Sequence, residues 1–275
     1  MGKKCHPPAP TFEEESERRM QSYENDELLR KSAANFMKEM VRVHYAYNFN
    51  WLGRPVIQIP QDLYAMQEII WEVKPDLIIE TGIAHGGSII MSASMLALID
   101  YCEAVKRGRA IDPRNSKRRV LGIDIEIRPH NREAIQAHPM AHLIEMIEGS
   151  SIDSVVVDKV KAISKNYKKI LACFDSNHTH EHVLAELEAY APLISAGSYC
   201  IVWDTGIEDF PDAAGSDRPW KKGNNPKTAV WEYLRRLDSK KYIAADGAPL
   251  NLEIDKIIGK KLLITAAPDG FLRRI

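Results

Sequence analysis

The sequence predicts an α/β fold, a doubly wound and mostly parallel seven-stranded sheet behind an N-terminal helical extension. Three observations predict it. An apolar run, Ile78-Ile79, ends in Glu80 and passes through the glycines Gly82, Gly86 and Gly87 into an apolar helix over 89–105. Strand and helix patterns then alternate at close spacing through five strands, as parallel pairing with crossover helices requires. Finally, four of those strands end in an acid, at Glu80, Asp124, Asp175 and Asp204. In an open parallel sheet the carboxyl edge is where ligands bind.

Residues 1–25 are polar, hold Pro7-Pro8-Ala9-Pro10 and the run Glu13-Glu14-Glu15, and read as a flexible arm. Residues 26–73 read as a helical extension covering the ligand site. Within it, apolar residues recur near helical spacing from Leu28 to Tyr47, a loop over 48–60 is marked by Gly53 and Pro55, and Pro60 opens a second helix ending at Val73. The sheet domain spans 74–275. Its strands are expected at 76–79, 120–124, 143–147, 169–174 and 198–203, with helices opening at Pro129, after Asp153, at His178 and at Pro226. Segments 242–245 and 262–265 are the candidates for a terminal antiparallel pair. The stretch 205–225 has no clear period, and its length fits a lid.

Composition narrows the class. The 275 residues suffice for one large domain. Thirty-seven Lys and Arg against 38 Asp and Glu leave a net charge of −1, so no strong field recruits nucleic acid or an anionic membrane. Cys5, Cys102, Cys173 and Cys200 show no C-x-x-C spacing, which favours reduced thiols and a cytoplasmic protein. No secretory h-region and no run near the length of a membrane span stand out. The extension outside the sheet suits contacts between copies, so a homo-oligomer is expected.

The glycine turn is not the dinucleotide fingerprint, since G-x-G-x-x-G would need glycine at Ala84. Glu80 fits the cationic end of a ligand, pointing to S-adenosylmethionine, with its ammonium group, over a pyrophosphate. Asp124 can accept both hydroxyls of a ribose, and by itself suits NAD equally. Asp175 and Asp204 end neighbouring strands, where two carboxylates can share a hard divalent cation; helix capping is the competing role for Asp175. His178 could take a proton from a substrate hydroxyl or sit solvated at a helix start. His180 and His182 read as surface residues, and the spacing of His178, Glu181 and His182 does not match H-E-x-x-H.

Five segments, 79–88 (IETGIAHGGS), 122–131 (GIDIEIRPHN), 149–153 (GSSID), 174–180 (FDSNHTH) and 191–199 (APLISAGSY), resemble the cephalosporin hydroxylase family over roughly residues 50–240. That resemblance implies the Rossmann-like class I methyltransferase fold with S-adenosylmethionine as cofactor. A more distant similarity to magnesium-dependent catechol-type O-methyltransferases implies individual roles. Glu80, Gly82, Ala84 and Ser88 then contact the methionine end, Asp124 (or Glu126) the ribose, and Ser151 the adenine. Asp175 and Asp204 become ligands of Mg2+ or another divalent cation, and His178 takes the place of the family's general-base lysine. The sequence departs at Thr205, where an asparagine would complete the metal set, and at Trp203, where part of the family has an acid. The implied enzyme is an S-adenosylmethionine-dependent O-methyltransferase acting on a hydroxylated small molecule, a sugar or natural-product intermediate. A non-catalytic S-adenosylmethionine-binding protein is the alternative. A nicotinamide-dependent reductase shares the fold but lacks its glycines.

Overall fold

A computed structural model describes residues 10–210 and 217–275. The N-terminal part of the expected arm, 1–9, and residues 211–216 of the expected lid lie outside the described residues.

Seven strands form the sheet: β3 (Leu77–Thr81), β4 (Arg119–Asp124), β5 (Ile144–Glu148), β6 (Ile170–Phe174), β7 (Tyr199–Val202), β8 (Leu252–Ile254) and β9 (Phe271–Arg274), in the order β5-β4-β3-β6-β7-β9-β8. The five from β5 to β7 across the sheet are parallel, and β9 runs antiparallel to both β7 and β8. The chain winds outward from β3 in one direction, then returns to build the other half from β6. The ends of β3 and β6 are therefore the point where the strand order reverses, and a crevice opens there.

The central parallel strands β3, β6 and β7 are buried on both faces and read as largely apolar runs, whereas the edge strand β5 keeps Glu145 and Glu148 exposed. Alternation of β3 shows the two layers: Leu77 and Ile79 face one core, Ile78 the other. On the first side pack α6 (Ser154–Ser164), α7 (His180–Tyr190) and α8 (Pro226–Ser239); on the second pack α3 (Pro60–Val73), α4 (Gly87–Lys106) and, through Ile135, α5 (Pro129–Gln136). The 20-residue α4 is long and apolar enough to cross a membrane, which its sequence did not suggest, but ten of its residues are buried in the protein.

Other expectations need correction. The arm contains a helix, α1 (Phe12–Asn25), opened by a capping box in which Thr11 accepts from the Glu14 amide and Glu14 reaches back to the Thr11 amide. It precedes α2 (Glu27–Arg42). The loop over 48–60 holds a hairpin, β1 (Phe49–Trp51) and β2 (Arg54–Val56), whose turn residues Leu52 and Gly53 both have positive φ, as its tight two-residue turn requires. The terminal pair is β8 with β9, not 242–245 with 262–265. Leu262 ends α9 (Lys256–Leu262), and Leu263 turns the chain away at φ +59°.

Each of the three glycines makes room for neighbouring parts of the protein on its Cβ side. At Gly82, φ is +88° and a Cβ would run into the backbone carbonyl of Asp175; at Gly86 it would meet Ile135, and at Gly87 the Pro55 carbonyl. Gly82 thus lets the turn after β3 lie against the end of β6. Gly82→Ala should lower stability by about 3 kcal/mol or more, from a left-handed backbone and a backbone clash together, measured by denaturant unfolding. A loss under about 1 kcal/mol would mean the two loops are free to separate.

Candidate functional site

At the carboxyl edge the strand-end acids gather. Asp175 follows β6, and Asp204 lies two residues beyond β7, in the left-handed region (φ +56°) that Asp tolerates. His178 lies between them, Nε2 at 3.5 Å from Asp175 Oδ1 and Nδ1 at 3.1 Å from Asp204 Oδ2. Ligand atoms of these three residues all lie within 4.8 Å of one another, a grouping that could hold a metal ion. Burial and the nearby Asp204 raise the Asp175 carboxyl above the usual range. Burial opposes a charge on His178, yet the two carboxylates outweigh it and raise the imidazole. A protonated His178 thus supplies the positive charge the acids need, and a bound cation would release it from that duty.

Thr205 is placed otherwise. It is fully buried, and its hydroxyl donates to the Pro268 carbonyl at 2.7 Å, toward the loop before β9. Two residues absent from the sequence reading join the site. Gln58, in the segment before α3, donates from Nε2 to Asp175 Oδ2 at 3.2 Å. Trp220 packs on His178, ring centroids 4.7 Å apart, with the Arg218 guanidinium 5.1 Å from the Trp220 ring centre. Of the expected lid, 205–225, residues 217–225 therefore reach the site, tied down where Glu208 accepts from the Gly223 amide and from Asn225.

Next to this cluster lies the turn after β3. Asp124 Oδ2 accepts from the amides of Ile83 (2.7 Å) and Ala84 (3.1 Å), and its Oδ1 from the Glu126 amide (3.2 Å). Opposite, Arg54 donates to the His85 carbonyl and to Asn131 Oδ1, while Asn131 donates to the Ala84 carbonyl. The turn is held from both sides, with Ala84 exposed at its tip. Asp124 therefore serves the protein's own backbone, and the exposed Glu126 is the acid left facing outward. Asn131 and Arg54 escaped the sequence reading because they act across 47 and 31 residues.

Glu80 is 3% exposed. Burial pushes its carboxyl up to about 8, against the pull of the Ser88 hydroxyl. Ser151 is also buried, its hydroxyl donating to Glu186 Oε1 at 2.5 Å with His182 Nε2 at 3.0 Å. His182 thus faces inward, not to solvent as its sequence context suggested. His180 bonds Thr228, Nδ1 to Oγ1 at 2.8 Å.

The comparisons agree with this architecture. The chain matches the family described as rhamnosyl O-methyltransferase/CmcI over residues 43–275. A rhamnosyl O-methyltransferase of Mycobacterium tuberculosis is 29% identical over 218 residues, covering 78% of this chain and 73% of that protein. Its namesake in Mycobacterium leprae is 28% identical over 225 residues, covering 82% of each. Among solved structures, apo CmcI superposes with a TM-score of 0.51 and CmcI in its Mg-SAM form with 0.50, each at 17% identity over 83% of this chain and 77% of the other. At that identity the likeness is one of fold.

The Glu80 carboxyl predicts a pH dependence. Its value in the folded chain lies above the 4.5 of a free carboxyl, so the folded state binds the extra proton. Stability should then fall as pH rises from about 4.5 to 8, by up to about 1.4 kcal/mol per unit. Asp62, fully buried in α3 and raised to about 7, adds to the same trend. Thermal unfolding of the ligand-free protein across this range should show it, and Glu80→Gln should flatten the slope. An unchanged slope in that variant would mean Glu80 is ionised throughout.

Proposed function

The chain belongs to the rhamnosyl O-methyltransferase/CmcI family, and from that premise we infer that it transfers the methyl group of S-adenosylmethionine to a hydroxyl of a sugar-bearing small molecule. The observation that carries the reading is the cluster of Asp175, His178 and Asp204 beside the turn that follows Glu80. The residues fit both groups. Two carboxylates supply the oxygen donors a hard cation such as Mg2+ prefers. Glu80 is a buried acid short of a positive partner, which suits an ammonium group.

When bound, S-adenosylmethionine supplies an electrophilic methyl carbon, and the divalent cation lowers the pKa of a hydroxyl held against it. The protein's part is to position and to move a proton. Glu80 and the amino end of α4 at Ser88 would hold the methionine end, beside the fixed turn through Gly82 and Ala84. Asp124 shapes that turn, leaving Glu126 for the ribose hydroxyls, and the loop at Ser151 borders the adenine. Asp175 and Asp204 hold the cation, with Gln58 orienting one carboxylate. His178 accepts the proton from the sugar hydroxyl, and the indole of Trp220 limits water around that transfer. Names of the mycobacterial relatives support a deoxysugar such as rhamnose in the acceptor.

His178→Ala should reduce methyl transfer to a rhamnoside acceptor by roughly 100-fold or more while S-adenosylmethionine still binds. Asp175→Asn should abolish the stimulation by Mg2+, followed with a radiolabelled methyl group. Full activity of the wild-type protein in excess chelator would remove the cation from the scheme. Donor binding without transfer to any hydroxyl in a broad glycoside panel would overturn the enzymatic reading.

A further inference from the structure

Behind the catalytic loop, α7 presents a polar stripe at four-residue spacing: His182, Glu186 and Tyr190. Glu186 has no exposure at all. Its Oε1 accepts from two serines, Ser151 of the loop after β5 (2.5 Å) and Ser176 of the loop after β6 (2.6 Å). The Nε2 of His182 sits 3.0 Å from the first hydroxyl, 3.2 Å from the second and 3.5 Å from Glu186 Oε1. Tyr190 donates to the Ser151 carbonyl, and Glu186 Oε2 has no partner.

A buried carboxylate with one idle oxygen is poor material for stability, since an apolar side chain of similar volume would serve as well. Nor is the group a hydrolytic triad. Serine hydroxyls and acid meet the same nitrogen of His182, where a triad places the acid on the far nitrogen to orient the ring. What the arrangement does is join two loops that share no strand pairing. Ser176 is the residue after Asp175, and the loop of Ser151 joins the end of β4 through the Gly149 amide and the Asp124 carbonyl. β5 and β6 stand on opposite sides of β4 and β3 in the sheet, so backbone pairing cannot link their loops directly.

We propose that Glu186, supported by His182, is a positioning residue that ties the methyl-donor side of the site to its metal and proton-transfer side through a single carboxylate oxygen. Ordering either loop then lowers the entropy cost of ordering the other, and ligands on the two sides strengthen each other's binding. The inference rests on the cofactor assignment given under Proposed function.

Calorimetric titration of the full chain with S-adenosylhomocysteine, with and without Mg2+, reads that coupling directly. In the wild-type protein Mg2+ should tighten S-adenosylhomocysteine about 5-fold. Ser151→Ala or Ser176→Ala should each bring the ratio near 1, and the double variant should lose no more than either alone. Glu186→Gln keeps an acceptor oxygen and should retain part of the ratio, while Glu186→Met should not. A purely structural role would lower the melting temperature of the serine variants and leave their ratio intact, which overturns the proposal, as does a wild-type ratio of 1. Failure of the wild-type protein to bind S-adenosylhomocysteine would overturn the functional reading itself.

Discussion

Two like charges held side by side are the constraint around which this molecule is built. Adjacent parallel strands stand about 4.8 Å apart, so acids just beyond the ends of β6 and β7 must share space. Asp175 and Asp204 do so, and His178 bridges them. Neighbouring structure holds this arrangement in place. Gly82 lets the turn after β3 lie against the Asp175 carbonyl, Gln58 grips its carboxylate from the extension, and Trp220 packs on the imidazole. Asp62, a further buried acid whose charge is felt at this site, ties α3 to the loop before β9 through the Thr265 hydroxyl and the Ala266 amide. The extension is thus fastened to the same edge that it helps to complete.

Three fully or nearly buried acids on this edge show how differently burial can be satisfied. Asp62 receives two hydrogen bonds, and Glu186 receives two hydroxyls on one oxygen and approaches His182. For Glu80 burial dominates, and although the Ser88 and Ser92 hydroxyls pull toward ionisation the carboxyl is still raised to about 8. A carboxyl so placed is neutral over much of the physiological range until a cation arrives, and ligand and proton then exchange for one another. Such a carboxyl suits the positively charged ligand end proposed for it.

The sheet was legible because its signals are local. Buried parallel strands read as apolar runs, and the glycines and prolines that bound them stand in the sequence itself, so five strands and the four edge acids could be placed from pattern alone. Features that depend on distant partners were not. Phe271–Arg274 carries two arginines and looks exposed, yet Arg274 is 2% exposed because Asp246 and the Ile194 carbonyl take its guanidinium. The hairpin needs a leucine with positive φ at its turn, a conformation that the residue type argues against. The spacing of His182 and Glu186 was visible, but a sequence does not tell which side of α7 meets Ser151 and Ser176.

The glycine turn shows most clearly why pattern and role part company. Glycines at a strand end suggest room for a ligand, and here their missing side chains admit Asp175, Ile135 and Pro55. The same logic applies to Asp124. An acid at that point is expected to reach outward, but its oxygens accept three backbone amides and freeze the turn instead. Such a turn has its conformation fixed before any ligand enters, so a cofactor meets a finished surface and need not organise one. Motif residues at this edge thus divide into those that build the turn and those that stay open to solvent. Gly82 and Asp124 belong to the first kind, Glu126 and Ala84 to the second. The division follows from hydrogen-bond partners, which only the folded chain reveals.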